Sequence, residues 1–226
     1  MSTHARRPRG RPRAEQSPAT EEQILQAALH AFATHGYEGM SVRTLNRQLG
    51  VSHSLINGRF GSKQDLWYAT VDWAFAPLAA RLQSGFDPTL TDPLEQLRLA
   101  IRTFLIYSAE HPELLGLMNI EARQDTDRLA YIYNTYIEPT LAPIGRLLDH
   151  CAAHGRTRPI SLRAFHFLLA HGGAAPFTLA PLARHFDASD PSEPAAVQEH
   201  ADLIADLLIH ALQSAPAHTA ETGSAA

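Results

Sequence analysis

Apolar residues recur every three or four positions along most of the chain, the spacing that places side chains on one face of an α-helix. No segment after residue 63 shows the alternating pattern of a β-strand. The pattern therefore predicts an all-α fold, with helices beyond that point at 64–83, 93–110, 112–121, 125–154, 161–182 and 194–212. Two of these helices are expected to kink or break at prolines, namely Pro139, Pro143, Pro176 and Pro181.

The segment 41–63, SVRTLNRQLGVSHSLINGRFGSK, predicts two short helices joined by a tight turn. Ser41 is a good N-cap for the first helix, Gly50 permits the turn, and Ser52 is expected to cap the second. The outward face of the second helix would carry side chains that can bond phosphates or base edges: His53, Ser54, Asn57 and Arg59. This pattern favours a DNA-reading helix-turn-helix. An ordinary helical hairpin with a hydrated polar face is the alternative.

A supporting helix precedes this unit. Its start is marked by a capping-box pattern, Thr20 and Gln23, and Gly36 is expected to end it. Backbone amides at its start could also meet a phosphate. The chain is therefore expected to fold as an N-terminal three-helix helix-turn-helix domain at 20–64, followed by a larger helical domain at 65–213.

Residues 20–66 resemble the N-terminal domain of the TetR family of bacterial transcriptional regulators. The resemblance rests on the runs ILQAALHAFATHGYEGMSVRTL, LGVSHSLI and RFGSKQDL, which follow the family's order and spacing. It implies a homodimer that binds a near-palindromic operator on double-stranded DNA, acts as a repressor and is released by a small-molecule ligand. By the same resemblance Lys63, the only lysine, contacts the DNA backbone. The DNA-binding candidates are Arg9, Arg11, Ser41, Arg43, Ser52, His53, Ser54, Asn57, Arg59 and Lys63.

Three residues depart from the family's usual pattern. Asn46 stands where alanine is usual, Asn57 where a phosphate-contacting tyrosine is usual, and Arg59 where an aromatic residue or histidine is frequent. Arg59 can pair with a phosphate or, in a bidentate manner, with guanine, and both roles are open at this point.

Charge is distributed unevenly along the chain. Residues 1–63 contain nine Arg and Lys against four Asp and Glu, a formal charge of +5, whereas the whole chain has a formal charge of −4. The remaining residues therefore carry −9. A positive reading end and an acidic body predict DNA binding that weakens steeply as salt is added.

The two ends of the chain have compositions typical of disorder. Residues 1–19 form a basic arm in which Pro8 to Pro12, PRGRP, resembles the core of an AT-hook that places two arginines in a narrow A·T-rich minor groove. A solvated basic tail with only nonspecific phosphate attraction is the alternative. Residues 214–226 form a small-residue tail that is expected to be mobile.

The larger domain is expected to dimerise and, by the family resemblance, to hold a ligand cavity. Its last two long helices have wide apolar faces, formed by Phe165, Leu168, Leu169 and Gly172 and by Leu203, Ile204, Leu207, Leu208 and Ala211. These faces suggest a four-helix bundle between two subunits, and closure of the monomer's own core is the alternative.

A cavity among the middle helices would accept a mostly apolar small molecule. The candidates for its lining are Trp73, Tyr107, Met118, Arg123, Tyr131, Tyr136, Phe165 and His166, with Phe75, Tyr133, Asn119 and Glu121 as further candidates. Ordinary core packing is the alternative for each aromatic residue, because aromatic side chains at helical spacing usually pack in a core.

Neither catalysis nor a cofactor is expected. The sequence contains no Gly-rich phosphate loop, nucleophile elbow or HExxH motif. His150, Cys151 and His154 include an i, i+4 histidine pair, but no further ligand nearby completes a zinc set. One cysteine excludes an intramolecular disulfide framework, and the absence of a membrane span or secretory signal predicts a cytoplasmic protein without a membrane partner.

Two functions remain. The first is a dimeric, ligand-responsive transcriptional repressor. The second is a constitutive or architectural DNA-binding regulator whose larger domain only dimerises. They differ in whether a small molecule changes the affinity for DNA.

Overall fold

A computed structural model of the protein describes residues 19–52, 54–85, 90–187 and 189–213. Within these ranges all regular elements are helical and no strand occurs, which confirms the all-α prediction. The helices are α1 (Glu21–Gly39), α2 (Val42–Gln48), α3 (Leu55–Phe60), α4 (Lys63–Ser84), α5 (Pro93–Glu110), α6 (Pro112–Glu121), α7 (Asp127–Ile132), α8 (Glu138–Ala153), α9 (Leu162–Phe167), α10 (Ala175–Thr178), α11 (Ala180–Ala183) and α12 (Pro194–Gln213).

The first helix begins and turns as its sequence predicts. Thr20 and Gln23 form the reciprocal capping box, and Gly36 interrupts the helix with φ +69° before a last short turn. A side chain at position 36 would be strained by this backbone and would lie 3.1 Å from Ile120 on α6. At Gly116, also on α6, a Cβ would lie 3.4 Å from the Cβ of Ala33. Small residues thus bring α1 into close contact with α6.

The second and third helices differ in how they begin. Ser41 caps α2 as predicted, since its hydroxyl accepts a hydrogen bond from the amide of Thr44. The prediction that Ser52 caps the next helix is wrong. The Ser52 carbonyl accepts a bond from the Leu55 amide in a preceding turn, so α3 starts two residues later, with Ser54 at the N-cap position.

Two π turns appear where the sequence predicts continuous α-helices with proline kinks. One covers Tyr133–Ile137 and joins α7 directly to α8, just before Pro139. Proline lacks an amide hydrogen and its ring crowds the carbonyl four residues back, and the wider turn accommodates both effects. The other covers Leu168–Gly173, and the predicted helix 161–182 breaks after it into α9, α10 and α11.

The helices from α4 to α12 form the body, and its core is centred on α4 and α5. The largest fully buried side chains there include Trp67, Leu97, Ile101 and Leu105. Helix α12 packs against α5, and ion pairs of Arg98 with Asp206 and of Arg102 with Asp202 join the two helices at the edge of this contact.

Candidate DNA-reading surface and ligand cavity

A polar face on α3 is held outward by a single buried anchor. Ile56 is 1% exposed and fixes the helix against the core, while Ser54, Asn57 and Arg59 are exposed. The three exposed groups supply hydroxyl, amide and guanidinium hydrogen bonds on one short helix. Such a face can bond base edges and phosphates in a major groove.

The other predicted DNA contacts lie partly within and partly outside the described residues. Arg43 and Ser52 are exposed, and Ser41 is exposed while its hydroxyl also caps α2. Asn46, one of the three departures from the family's usual pattern, is 1% exposed and lies in the interior of the reading unit formed by α1, α2 and α3. The candidates His53, Arg9 and Arg11 lie outside the described residues, as do the tail 214–226 and the basic arm apart from its last residue, Ala19.

Two cations at the edge of the unit are held in place by neighbouring groups. The Lys63 ammonium lies 3.4 Å from the carbonyl oxygen of Glu38 and 4.6 Å from the ring centre of Tyr37. The Arg59 guanidinium donates to the carbonyl of Ala19, 3.4 Å away, just before α1. Both side chains therefore have restricted orientations.

The N-terminus of α1 is poorly suited to binding a DNA phosphate, although backbone amides point out of a helix at this end. The capping box already uses the amides of Thr20 and Gln23, and Glu21 and Glu22 place two exposed carboxylates in the first turn. Because like charges repel, a DNA phosphate is disfavoured at this helix end.

A buried ion pair joins the reading unit to the body. Glu121 at the end of α6 is 5% exposed, and both of its carboxylate oxygens lie within 3.3 Å of Nε of Arg128 on α7. The same guanidinium lies 4.0 Å from the ring centre of Tyr37 and 6.0 Å from that of Trp67. Arg128 therefore contacts α1, α4 and α6 at once. Sequence reasoning missed this role, because no local pattern pairs residues 121 and 128.

A cavity opens among the middle helices of the body, with about 940 Å³ of empty space counting its mouth. Aliphatic and aromatic side chains from α4, α5, α6, α8 and α9 form most of its wall. Its polar lining residues are Asn119, Tyr136, Thr140, His166 and His171. An apolar concavity of this size with a few polar groups suits a small organic molecule.

The cavity brings together half of the predicted ligand residues. Met118, Tyr136, Phe165 and His166 line it, as do Phe75 and Asn119. The other candidates lie elsewhere. Trp73 and Tyr133 are not part of the lining, and Arg123 is exposed.

The remaining candidates have structural partners instead. The Tyr107 hydroxyl donates to the carbonyl of Ala74 and so fastens α5 to α4. Tyr131 packs its ring 4.7 Å from that of Tyr68, and Glu121 pairs with Arg128. Aromatic character in a sequence does not distinguish a cavity wall from a core, so the sequence predicts Tyr107 and Tyr131 as lining residues.

One carboxylate of α4 binds two tyrosines, of which Tyr136 lines the cavity. The Oδ1 atom of Asp72 accepts hydrogen bonds from the hydroxyls of Tyr131 and Tyr136, both at 2.7 Å. Burial, reinforced by the bond to Asp72, raises the pKa of Tyr131 to about 12 and also raises the pKa of Tyr136. Both tyrosines therefore remain neutral donors near neutral pH.

His166 gives the cavity wall a titratable group. Burial, with a smaller contribution from His171, lowers the pKa of His166 below 6.5. Below that pH the unfolded chain takes up a proton that the folded protein does not, so stability falls as the pH falls.

We predict that His166→Gln makes the free energy of unfolding less dependent on pH between about pH 7.5 and pH 5.5. Urea titrations at about pH 7.5 and about pH 5.5 measure the free energy of unfolding at each pH. His185→Gln, at an exposed histidine, is the matched control and should keep the wild-type dependence. Equal pH dependence in wild type and H166Q would contradict the assignment.

The predicted dimer faces are partly used within the monomer. Phe165 and Leu169 are buried at 2% and 7% exposure, so their assignment to a subunit interface is wrong. The π turn that follows packs closely as well, since a Cβ at position 173 would lie 3.0 Å from Ile204 and 3.3 Å from Leu105. Large apolar side chains remain exposed in the segment from α9 to α12: Phe167, Leu168, Leu179, Leu182, Phe186, Leu203 and Leu207. Ala211 and Gly172 are also exposed, and Ile204 and Leu208 are half-buried.

The histidine pair on α8 has a packing explanation. The rings of His150 and His154 lie 4.1 Å apart, and Nδ1 of His154 is 2.8 Å from the carbonyl oxygen of His150. Cys151 points into the core, where burial raises the pKa of its thiol. The described part of the chain contains no group of three or more His, Cys, Asp or Glu side chains arranged to hold a metal ion.

Across the described residues, no helix combines the length and the apolar character needed to span a membrane.

Two family profiles match the chain. One, described as bacterial regulatory proteins of the tetR family, covers residues 24–69. The other, described as the tetracyclin repressor-like C-terminal domain, covers residues 93–208, just over half of the chain. The chain belongs to the TetR family. The first TetR profile covers most of α1 and all of α2 and α3, and the second covers most of the helices that form the cavity.

Relatives within the TetR family include repressors. The transcriptional repressor NicS of Pseudomonas putida is 26% identical over 109 residues, which are 48% of this chain and 51% of NicS. The chain therefore spans about half the length of that relative. The nucleoid occlusion factor SlmA of Vibrio vulnificus is 25% identical over 142 residues, which are 62% of this chain and 72% of SlmA. The family and its repressor members support a DNA-binding regulator.

A solved structure shares the fold. HlyIIR, a hemolysin II transcriptional regulator, is 22% identical, with a TM-score of 0.64 covering 86% of this chain and 97% of that one. At this identity the likeness shows the TetR fold alone.

Proposed function

We propose that the protein is a dimeric, sequence-specific DNA-binding transcriptional repressor that a small ligand in the body's cavity releases from its operator. The observation that carries this proposal is the exposed polar face of α3 in a chain whose TetR-family sequence covers both the reading unit and the body. The primary test is whether the purified protein shifts a palindromic fragment from the DNA flanking its own gene.

Position along α3 supports separate roles for its polar residues. Residues near the start of a recognition helix usually contact base edges. Ser54 and Asn57 occupy that part of α3, whereas Arg59 lies in the last turn and is tied to the carbonyl of Ala19. We infer that Asn57 reads a base and that Arg59 contacts a phosphate.

We predict different effects for two alanine variants. Asn57→Ala should relax the preference at one operator base pair, by about 1–3 kcal/mol. Arg59→Ala should weaken binding to all operator variants equally and reduce the slope of log affinity against log salt by about one. Fluorescence anisotropy with a set of operator variants at several salt concentrations measures both.

A matched control for lost charge is Arg146→Ala on α8, an exposed arginine of the body. This variant should bind DNA like the wild type. Loss of discrimination at one base pair in the Arg59 variant would instead assign that side chain to base readout.

The exposed apolar side chains of α12 support dimerisation. Leu203 and Leu207 are 53% and 56% exposed and lie one turn apart on the same face. Leu168, which is 53% exposed, belongs to the π turn that packs beside this helix. Large apolar patches on a soluble protein usually mark an interaction site, and a second copy offers the same surface.

The Asp72 network supports ligand control. Tyr136 lines the cavity and shares Asp72 with Tyr131, while Asp72 belongs to α4, whose first residue, Lys63, follows the reading helix closely. A ligand against Tyr136 would act on a helix that leads directly to the DNA-binding unit. Release requires that the ligand bind the released state more tightly than the DNA-bound state.

A second function has one observation in its favour. SlmA, a related protein, is named as a nucleoid occlusion factor rather than a repressor. A constitutive DNA-binding protein would shift its fragment equally with or without a cavity ligand. A ligand that raises the melting temperature and also weakens the shift would exclude this alternative.

A further inference from the structure

The wall of the cavity has no formal charge of its own beyond its histidines. Among the lining residues in the described part of the chain there is no Asp, Glu, Lys or Arg. A buried carboxylate or ammonium group needs a paired charge, since transferring an isolated ion from water into an apolar site costs several kcal/mol or more. The cavity wall therefore disfavours a charged ligand.

The histidines do not supply the missing positive charge. Burial lowers the pKa of His166, so its imidazole is neutral near neutral pH. His171 is exposed, so water competes with a ligand for its ring nitrogens. Behind Tyr136 lies the carboxylate of Asp72, 2.7 Å from the tyrosine hydroxyl, and it repels an anion further.

One polar atom of the wall has no partner in the described structure. The hydroxyl of Thr140 is shielded from solvent and makes no hydrogen bond there. The Tyr136 hydroxyl is already bound to Asp72, and the side chains of Asn119 and His166 keep some exposed surface. An unpaired buried hydroxyl is unfavourable by about 1–3 kcal/mol, so Thr140 is the group that gains most from a ligand.

We propose that the cavity selects an uncharged, largely hydrocarbon molecule with a single hydrogen-bonding group, such as an alcohol, a ketone or a phenol, and that Thr140 binds that group. This proposal rests on the proposed function only in taking the cavity as the ligand site. It adds the ligand's charge and the residue that recognises its polar group.

The test compares three molecules that have hydrocarbon chains of the same length and differ in their polar group: decanol, decanoate and decylammonium. Each displaces the uncharged fluorophore N-phenylnaphthylamine from the full-length protein near neutral pH. We expect decanol to bind at least about tenfold more tightly than either ion.

The Thr140→Val variant identifies the contact. Valine has nearly the same shape and lacks the hydroxyl, so decanol should bind roughly fivefold more weakly while the fluorophore binds as before. Thermal stability should be unchanged or higher, because the variant removes an unpaired polar atom. Thr135→Val, at an exposed threonine of the neighbouring π turn, is the control and should leave decanol binding unchanged.

Several results would overturn the proposal. They are equal or tighter binding of decanoate or decylammonium, unchanged decanol binding in T140V, or no binding of the fluorophore and all three molecules. A DNA-shift assay on the same protein separates these failures from failure of the proposed function. An intact shift with a charged ligand preferred would reject only the ligand class, whereas absence of any shift would reject the DNA-binding function.

Discussion

Replacing both Leu203 and Leu207 with glutamate is expected to convert the protein into a folded monomer that no longer holds its operator. Both side chains are more than half exposed in the single subunit, so glutamate there does not disturb the core. In a symmetric interface it would place four carboxylates in an apolar contact, where unpaired charges are strongly unfavourable. A monomer carries one reading unit instead of two linked ones, so operator binding should weaken by roughly a hundredfold or more.

Light scattering and a DNA-shift titration measure the two effects, and circular dichroism checks that the helices remain. Glu199→Gln, at another exposed position of α12, is the matched control and should remain dimeric with wild-type affinity. A doubly substituted protein that stays dimeric would show that this face of α12 is not the interface.

The second large effect is expected at the buried ion pair between α6 and α7. Arg128→Met should lower the free energy of unfolding by about 3–5 kcal/mol, because it leaves the Glu121 carboxylate buried without a countercharge. The variant also removes the guanidinium from the faces of Tyr37 and Trp67. Urea unfolding followed by circular dichroism measures the loss.

The double variant Arg128→Met, Glu121→Met tests the cause and protects against a single variant that fails to fold. Removing both charges should restore most of the lost stability, since two apolar side chains leave no unpaired ion. Arg123→Met, an exposed arginine of the same segment, should change stability by no more than about 0.5 kcal/mol. A double variant as unstable as R128M would assign the effect to packing around Tyr37 instead of to the ion pair.

Local signals predicted most helix boundaries well. Pro93 and Pro112 each begin a helix at its first position, where a missing amide hydrogen is harmless, and both helices end at the predicted residues. The capping box at Thr20 and the left-handed Gly36 were also readable, because a cap and a positive φ each demand particular side chains. Such information lies within a few consecutive residues.

Features that depend on distant partners were predicted poorly. Phe165 and Leu169 belong to the monomer core, where the turn at Gly173 packs so closely that a Cβ there would lie 3.0 Å from Ile204 on α12. The sequence does not predict Thr140 as a lining residue, since no local pattern around a threonine between two prolines shows that its hydroxyl faces an apolar cavity. Likewise, Ser52 and Ser54 are equally good caps, and the turn that precedes α3 determines which of them occupies the N-cap position.

Helix α6 contacts both the cavity and α1, and control of DNA binding by a ligand requires that a change at the cavity alter the position of α1. Leu114, Leu115 and Met118 border the cavity, whereas Gly116 and Ile120 lie against α1: a Cβ at Gly116 would lie 3.4 Å from Ala33, and a Cβ at Gly36 would lie 3.1 Å from Ile120. The two helices are closely packed here. We therefore expect a ligand that pushes α6 towards α1 to move α1 as well, and with it the DNA-binding helices that α1 supports.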